Sequence, residues 1–242
     1  MNIDQHQQQV FFNDSSHQYR QKDLLTPPSH TAYEIGRFMS LVKVNISGKN
    51  IIDFGSGTGR ISIPLLKEKF NVCAVDISKE SLQNLYQIAK KMGLHAQLET
   101  KTALQGTKAH AVIGTDILHH VDLKKHILLF PHHLHKKGMI LFSEPNAYNI
   151  AWFFYFPLYA FIKKIPVKEY IQIEKGFLQC RYGYIKKSLQ DAGFKTIRIY
   201  GHGLLPPPIL WKSSLLSKFN YFLGDLPLLR FFAYRFFIYA KK

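Results

Sequence analysis

Cysteine is nearly absent from this chain of 242 residues; only Cys73 and Cys180 occur, far apart in sequence. That excludes a disulfide framework and a cysteine zinc site, and it fits a reducing cytoplasm. Cys73 lies in an apolar segment and reads as a small buried hydrophobe. Long apolar runs are missing as well. The longest, residues 150–162, is broken by Pro157 and falls short of the ~20 residues a membrane-spanning helix needs. Residues 1–9 are polar and rich in glutamine, without the apolar stretch of a secretory signal. The expectation is a cytoplasmic protein, soluble or peripheral at the inner face of a membrane. Acidic residues are scarce, 16 against 32 Lys and Arg, for a formal net charge of +16. Such an excess favours anionic partners such as nucleic acid, phospholipid headgroups or phosphorylated substrates, without choosing among them. The lysines are spread in pairs rather than gathered into a basic tract, as on a generally solvated surface.

What is present suffices for one packed domain. Hydrophobic residues make up 46% of the chain, enough for a core. From residue 50 onward apolar strand-like segments alternate with amphipathic ones. Strands are expected at 50–54, 72–75, 95–99, 111–114 and 139–142, with helices at 61–70, 79–92 and 123–132 between them. A helix at 184–192 and strands at 195–200 and 236–241 follow. This alternation predicts an α/β, doubly wound, mostly parallel sheet. Residues 1–25 are polar and expected to be partly disordered. Residues 26–242 are expected to form a single domain, with Pro27-Pro28-Ser29 ahead of an amphipathic helix.

The segment Ile51-Ile52-Asp53-Phe54-Gly55-Ser56-Gly57-Thr58-Gly59-Arg60 carries the most information. An apolar strand runs into a carboxylate and then into a loop with glycine at every second position. Glycine there lets the backbone enter left-handed conformations and lets a ligand approach closely. A dinucleotide fingerprint has glycines as G-x-G-x-x-G, and the third would fall on Arg60, so a dehydrogenase reading lacks its glycine. A second apolar strand ends in Asp76, twenty-one residues past Gly55. That is the distance at which a βαβ unit places the acidic residue that accepts hydrogen bonds from ribose hydroxyls. Ser78 is a plausible cap of the next helix.

Asp53, the loop and Asp76 together resemble the class I S-adenosylmethionine-dependent methyltransferases. The resemblance covers about residues 33–242, interrupted by two insertions. It implies a seven-stranded sheet whose last strand is antiparallel and inserted between the fifth and sixth. It implies S-adenosyl-L-methionine as cofactor, held by Asp53, Gly55, Ser56, Gly57, Thr58, Gly59, Asp76 and Ile77. The segment Gly114-Thr115-Asp116-Ile117-Leu118-His119-His120 resembles the family's fourth-strand motif. Gly114 and Thr115 are expected at the cofactor, and the histidines near the transferred methyl group. Histidine is suited to take a proton near neutral pH, and His120 is favoured over His119 as a base. The alternative for the pair is structural, with one histidine hydrogen-bonded to backbone near the cofactor. Glu144, in Ser143-Glu144-Pro145-Asn146, is a candidate base or substrate acceptor, or a turn carboxylate capping nearby N–H groups. No metal is expected, since adjacent histidines diverge and no carboxylate cluster accompanies them at ligand spacing. Tyr19 and Tyr33 are candidates to close over the cofactor. Two departures stand out: Glu99 is the one acidic residue where the family has an adenine-contacting aspartate, and Ala109-His110 replaces its Phe-Asp pair. They leave open a cofactor-binding but inactive interaction protein.

The aromatics of the insertions, at about 146–176 and 201–232, Trp152, Phe153, Phe154, Tyr155, Phe156, Tyr159 and Phe161 among them, alternate with Lys163, Lys164, Lys168, Lys212, Lys218, Arg230 and Arg235. Such a mixture suits a lid over an apolar acceptor, an anionic membrane surface, a separate small core or a homodimer face. It also suits RNA, but no recognition motif supports nucleic acid. The leading expectation is methyl transfer to oxygen or nitrogen of a small or lipid-like acceptor; an RNA methyltransferase is an alternative.

Overall fold

The structure, a computed structural model, describes residues 3–14, 21–206 and 214–242. Tyr19, Pro207, Pro208 and Lys212 lie outside the described residues. Seven strands form one sheet: β1 (Asn50–Phe54), β2 (Asn71–Val75), β3 (Leu98–Lys101), β4 (Ala109–Thr115), β5 (Leu134–Pro145), β6 (Thr196–His202) and β7 (Arg235–Lys241). Their order is β3-β2-β1-β4-β5-β7-β6. β1 to β5 pair in parallel, and β7 runs antiparallel to both β5 and β6. The inserted antiparallel strand is therefore as expected. The strand order reverses between β1 and β4, and such a switch point opens a crevice at the strands' carboxyl ends.

The central strands β1, β2, β4, β5 and β7 are largely buried on both faces, so neighbouring residues feed opposite layers. Ile52, Phe54, Cys73 and Val75 pack with α6 (Leu123–Leu129) and α9 (Tyr182–Asp191). Ile51, Val72 and Ala74 pack with α3 (Ser29–Asn45), α4 (Ser62–Lys67) and α5 (Lys79–Lys91). The α4 helix is shorter than the apolar pattern predicts, because Lys69 adopts a left-handed φ of 62° and turns the chain toward β2. β3 starts later, at Leu98, after a 3-10 turn at His95–Gln97. β5 extends beyond the expected 139–142 because β4 and β7 pair along its two edges.

The polar N-terminal segment departs from expectation. It is helical over α1 (Gln5–Asn13) and α2 (Gln21–Leu25). Three α1 glutamines anchor on backbone carbonyls: Gln5 on His120 (3.1 Å), Gln8 on Ile173 (2.8 Å) and Gln9 on Ile77 (3.2 Å). The helix thereby bridges the end of β2 and the loop after β4. The first insertion forms α7 (Ala151–Lys163) and α8 (Val167–Glu174), and the second includes α10 (Ser214–Asp225). Phe11, Trp152, Phe156, Tyr170, Ile173 and Tyr234 make a satellite core beneath α7.

Candidate active site

The glycine loop leaves β1 at the switch point. Gly55, Gly57 and Gly59 all have positive φ. Gly57 (φ 50°) donates its N–H to Asp76 Oδ2 at 2.7 Å, and a Cβ built on it meets nothing within 4 Å. Asp76 Oδ1 accepts the Ser78 N–H at 2.8 Å, and Ser78 Oγ caps α5 by accepting the Ser81 N–H. Burial pushes the Asp76 carboxyl up against those two amides, which favour the ionised form. Among the described residues, the Ser56 and Thr58 hydroxyls are buried without a hydrogen-bond partner, a costly state that a bound polar ligand relieves. Open space at Gly57, two orphaned hydroxyls and a carboxylate at the ribose position fit S-adenosylmethionine.

Asp53 is buried at the end of β1. It accepts the Ser62 hydroxyl at 2.6 Å, which ties the first residue of α4 to the end of β1. Burial raises its carboxyl to about 6, with the Ser62 hydrogen bond opposing. Gly114 is required by packing, since a Cβ there falls 2.5 Å from the Phe54 carbonyl oxygen. Thr115 Oγ1 accepts from Arg60 at 2.6 Å. Asp116, at a left-handed φ of 56°, is clamped between Arg60 and Arg235, each at 2.5 Å, and Arg235 also reaches Glu34 at 3.0 Å. Although burial disfavours its charge, the two arginines hold the Asp116 carboxyl well below the usual carboxylate range. Glu99 sits within β3, exposed and paired with Lys101 at 3.0 Å, short of the strand's carboxyl end where the family's aspartate is expected. Tyr33 stacks on Tyr221 of α10 at 4.3 Å, so it pins that helix instead of closing over the loop.

Sequence reasoning paired His120 and Glu144 as catalytic candidates, and the structure separates them. Glu144 is fully buried. Its Oε1 accepts the Ile117 and Leu118 N–H groups at 2.9 and 2.8 Å, and Oε2 lies 2.7 Å from His119 Nδ1. Every strong contact thus goes to the loop after β4, the arrangement the capping alternative describes. On its other side His119 Nε2 lies 3.4 Å from Glu174. Burial opposes the imidazolium, but the two glutamates outweigh it and push His119 up to about 10. His120, nearly buried, rests its ring 4.0 Å from that of His119 and 5.0 Å from that of Phe12 of α1. Burial first, and the neighbouring imidazolium second, lower it to about 4. Its Nδ1 has no partner among the described residues. Burial thus favours the neutral form of His120, and the two glutamates favour the imidazolium of His119.

Glu174, Glu34 and the α1 glutamines were invisible to the sequence reading because they come from remote segments, and Arg235, read with the basic residues of the insertions, is instead buried against Asp116 and Glu34. Glu174 falls in an aromatic-rich insertion, where nothing marks a lone carboxylate. It also completes a group of potential metal ligands, since atoms of His119, His120 and Glu174 all lie within 4.8 Å of one another, as do those of His119, Glu144 and Cys180. An open groove of about 690 Å³ lies between α5 and the end of β3, and none of the site residues named above lines it.

A family described as Methyltransferase domain matches residues 45–172, which contain β1 to β5 and the whole glycine loop. The chain belongs to this methyltransferase family. Among curated proteins it resembles the ubiquinone biosynthesis O-methyltransferase of Rickettsia prowazekii, 31% identical over 114 residues, covering 46% of this chain and 45% of that protein. The protein of that name from Rickettsia conorii is 28% identical over 162 residues, 64% of this chain and 50% of the other. The chain spans about half the length of the curated relatives it matches. Its fold is shared with the magnesium protoporphyrin IX methyltransferase of Synechocystis, solved with bound S-adenosylhomocysteine (TM-score 0.59, 17% identity, 99% and 100% of the two chains). It is shared too with phosphoethanolamine N-methyltransferase 2 of Haemonchus contortus, solved with S-adenosylmethionine (TM-score 0.61, 16% identity, 97% and 60%).

Proposed function

We propose that this methyltransferase-family chain binds S-adenosyl-L-methionine and methylates oxygen or nitrogen of a small, lipid-like acceptor, working at the periphery of an anionic membrane. The observation that carries the reading is the cradle at the glycine loop: a free volume at Gly57 beside orphaned Ser56 and Thr58 hydroxyls, facing Asp76. The residues that would hold the cofactor are those of the loop from Gly55 to Gly59, Asp76 and Ile77 at the ribose end, and Gly114 and Thr115 across the crevice. Asp53 acts through Ser62 by fixing the loop's exit. When bound, the cofactor supplies an electrophilic methyl group. The chain's own part is to bring the acceptor atom into line and receive its proton. His120 is the group for that, neutral and with a buried, unpartnered Nδ1, its ring resting on that of His119, which Glu144 and Glu174 hold. Lowered to about 4, His120 is a weak base, so positioning carries more of the rate than proton abstraction. A name shared by the curated relatives, ubiquinone biosynthesis O-methyltransferase, supports oxygen as the acceptor atom and a hydrophobic acceptor.

Calorimetric titration with S-adenosylmethionine tests the core of this reading. Micromolar to low-millimolar binding is expected, and heat-silent titration throughout that range overturns it. With binding in hand, transfer of labelled methyl groups to phenolic and amine acceptors, in wild type and His120→Ala, separates an enzyme from an inactive cofactor-binding relative.

A further inference from the structure

We infer that the outer faces of α7 and α10 form one docking surface for an anionic lipid bilayer. α7 is apolar all round, and a helix of that kind is stable only when both sides are covered. One side is covered: Trp152, Phe156 and Ala160 face the satellite core. The other carries Ile150, Phe153, Phe154, Leu158, Phe161 and Ile162, at helical spacing, with Phe154 71% and Phe161 76% exposed. α10 repeats the arrangement. Tyr221 is buried under it, while Leu215, Leu216, Phe219 and Phe222 point outward, Leu215 at 75%.

The two faces are joined rather than scattered. Asn149, ahead of α7, donates to the carbonyls of Leu204 and Phe232 at 2.8 and 2.7 Å. Asn220 of α10 accepts the Leu204 and Leu205 N–H groups at 2.8 and 2.9 Å. Exposed Leu205 and Phe232 lie on that junction. With each side chain of the order of 150 to 250 Å², the exposed apolar area far exceeds the few hundred Å² usual on a monomer.

Charge selects the occupant. Lys163 and Lys164 end α7, Lys168 begins α8, and Lys218 shares the outer face of α10; all four are exposed and make no ion pair among the described residues. A second copy would set lysines against lysines at +16 on each chain. An anionic bilayer offers acyl chains to the aromatic face and phosphates to the lysine rim. Insertion is shallow: the 13-residue α7 is ~20 Å long against a hydrocarbon core of ~30 Å, and among the described residues no helix is long and apolar enough to cross a membrane. The buried side of α7 shares its core with Tyr170 and Ile173 of α8, the helix that ends in Glu174 beside His119. A lipid-like acceptor would enter from this face. That last point rests on the proposed function; the docking surface does not.

Flotation of the full chain with phosphatidylcholine vesicles, with and without phosphatidylglycerol, tests the surface. Binding to the anionic vesicles that weakens with salt is expected. Phe154→Ser, Phe161→Ser and Phe219→Ser combined should weaken it by at least ~10-fold, and Lys163→Gln, Lys164→Gln and Lys168→Gln combined by a similar factor with loss of the salt dependence. Unchanged S-adenosylmethionine affinity in the variants certifies their folding. No vesicle binding, or binding equal in wild type and both variants, overturns the inference. So does sedimentation showing a stable dimer that the phenylalanine variant dissolves. If vesicles bind and the cofactor does not, the proposed function falls and the docking surface stands.

Discussion

Replacing Glu144 distinguishes a loop clamp from a catalytic base. In the structure its carboxylate is fully buried, accepts two backbone N–H groups and faces the His119 imidazolium at 2.7 Å. Glu144→Ala orphans both amides, each costing about 1–3 kcal/mol. It also strips a buried cation of its nearer partner, a loss of about 3–5 kcal/mol on its own. The terms overlap, because Glu174 at 3.4 Å takes up part of the charge, so a total of about 4–5 kcal/mol is the reasonable sum. For a domain of this size that lowers Tm by about 10–15 °C. Glu144→Gln keeps a carbonyl oxygen for the amides and loses only the ionic contact, giving a smaller fall of about 1–3 kcal/mol. Thermal unfolding followed by circular dichroism, with urea titration for the free energies, reads both. A base in a solvated cleft would behave oppositely, leaving Tm unchanged while activity disappears. Variants that both melt within about 1 °C of wild type would refute the clamp.

Other consequences are as direct. Asp76→Ala should weaken S-adenosylmethionine by about 10- to 100-fold, the worth of charge-assisted hydrogen bonds to two hydroxyls; unchanged calorimetric affinity would remove Asp76 from the site. Gly57→Ala separates fold from function: its Cβ meets nothing in the protein, so only the positive φ is strained, about 1–2 kcal/mol, yet cofactor affinity should drop by more than tenfold. An equal affinity in that variant means the space at Gly57 is not the cofactor's. Stability should peak near neutral pH. His120, lowered from 6.5 to about 4, is neutral in the fold while the unfolded chain gains a proton, so its contribution is lost as pH falls from 6.5 toward 4. Asp53, raised from 3.8 to about 6, opposes that loss over part of the range, because there the folded form binds the extra proton. His119, raised to about 10, contributes stability that is complete below 6.5 and lost as pH rises through 10. The two nearly cancel between about pH 6 and 4, so in urea titrations across pH His120→Gln should leave stability rising as pH falls through that range; a profile unchanged from wild type refutes the assignment.

What was readable in one dimension is what local spacing dictates. Alternating apolar segments, the glycine loop and the carboxylate of Asp76 all lie within short stretches whose periods and separations depend on backbone geometry alone. They predicted the α/β sheet and carried the resemblance to the family, which in turn implied the inserted last strand, and residues 45–172 match that family. The N-terminal helix was misread because glutamine composition speaks of solvent, while Gln5, Gln8 and Gln9 satisfy carbonyls at positions 120, 173 and 77. Glu144 was readable as a candidate but not in its role, since a buried carboxylate and a free one have the same letter. Only the folded chain brings Glu174 to His119 and Arg235 to Asp116. Those contacts join segments tens to over a hundred residues apart, and their energies arise from burial and charge pairing that exist only after the sheet has closed. The sequence by itself specified a loop shaped for a methyl donor. The tertiary structure decided the contacts: Asp53 accepts the Ser62 hydroxyl, Glu144 accepts two amides of the loop after β4 beside His119, and Nδ1 of His120 is left without a partner among the described residues.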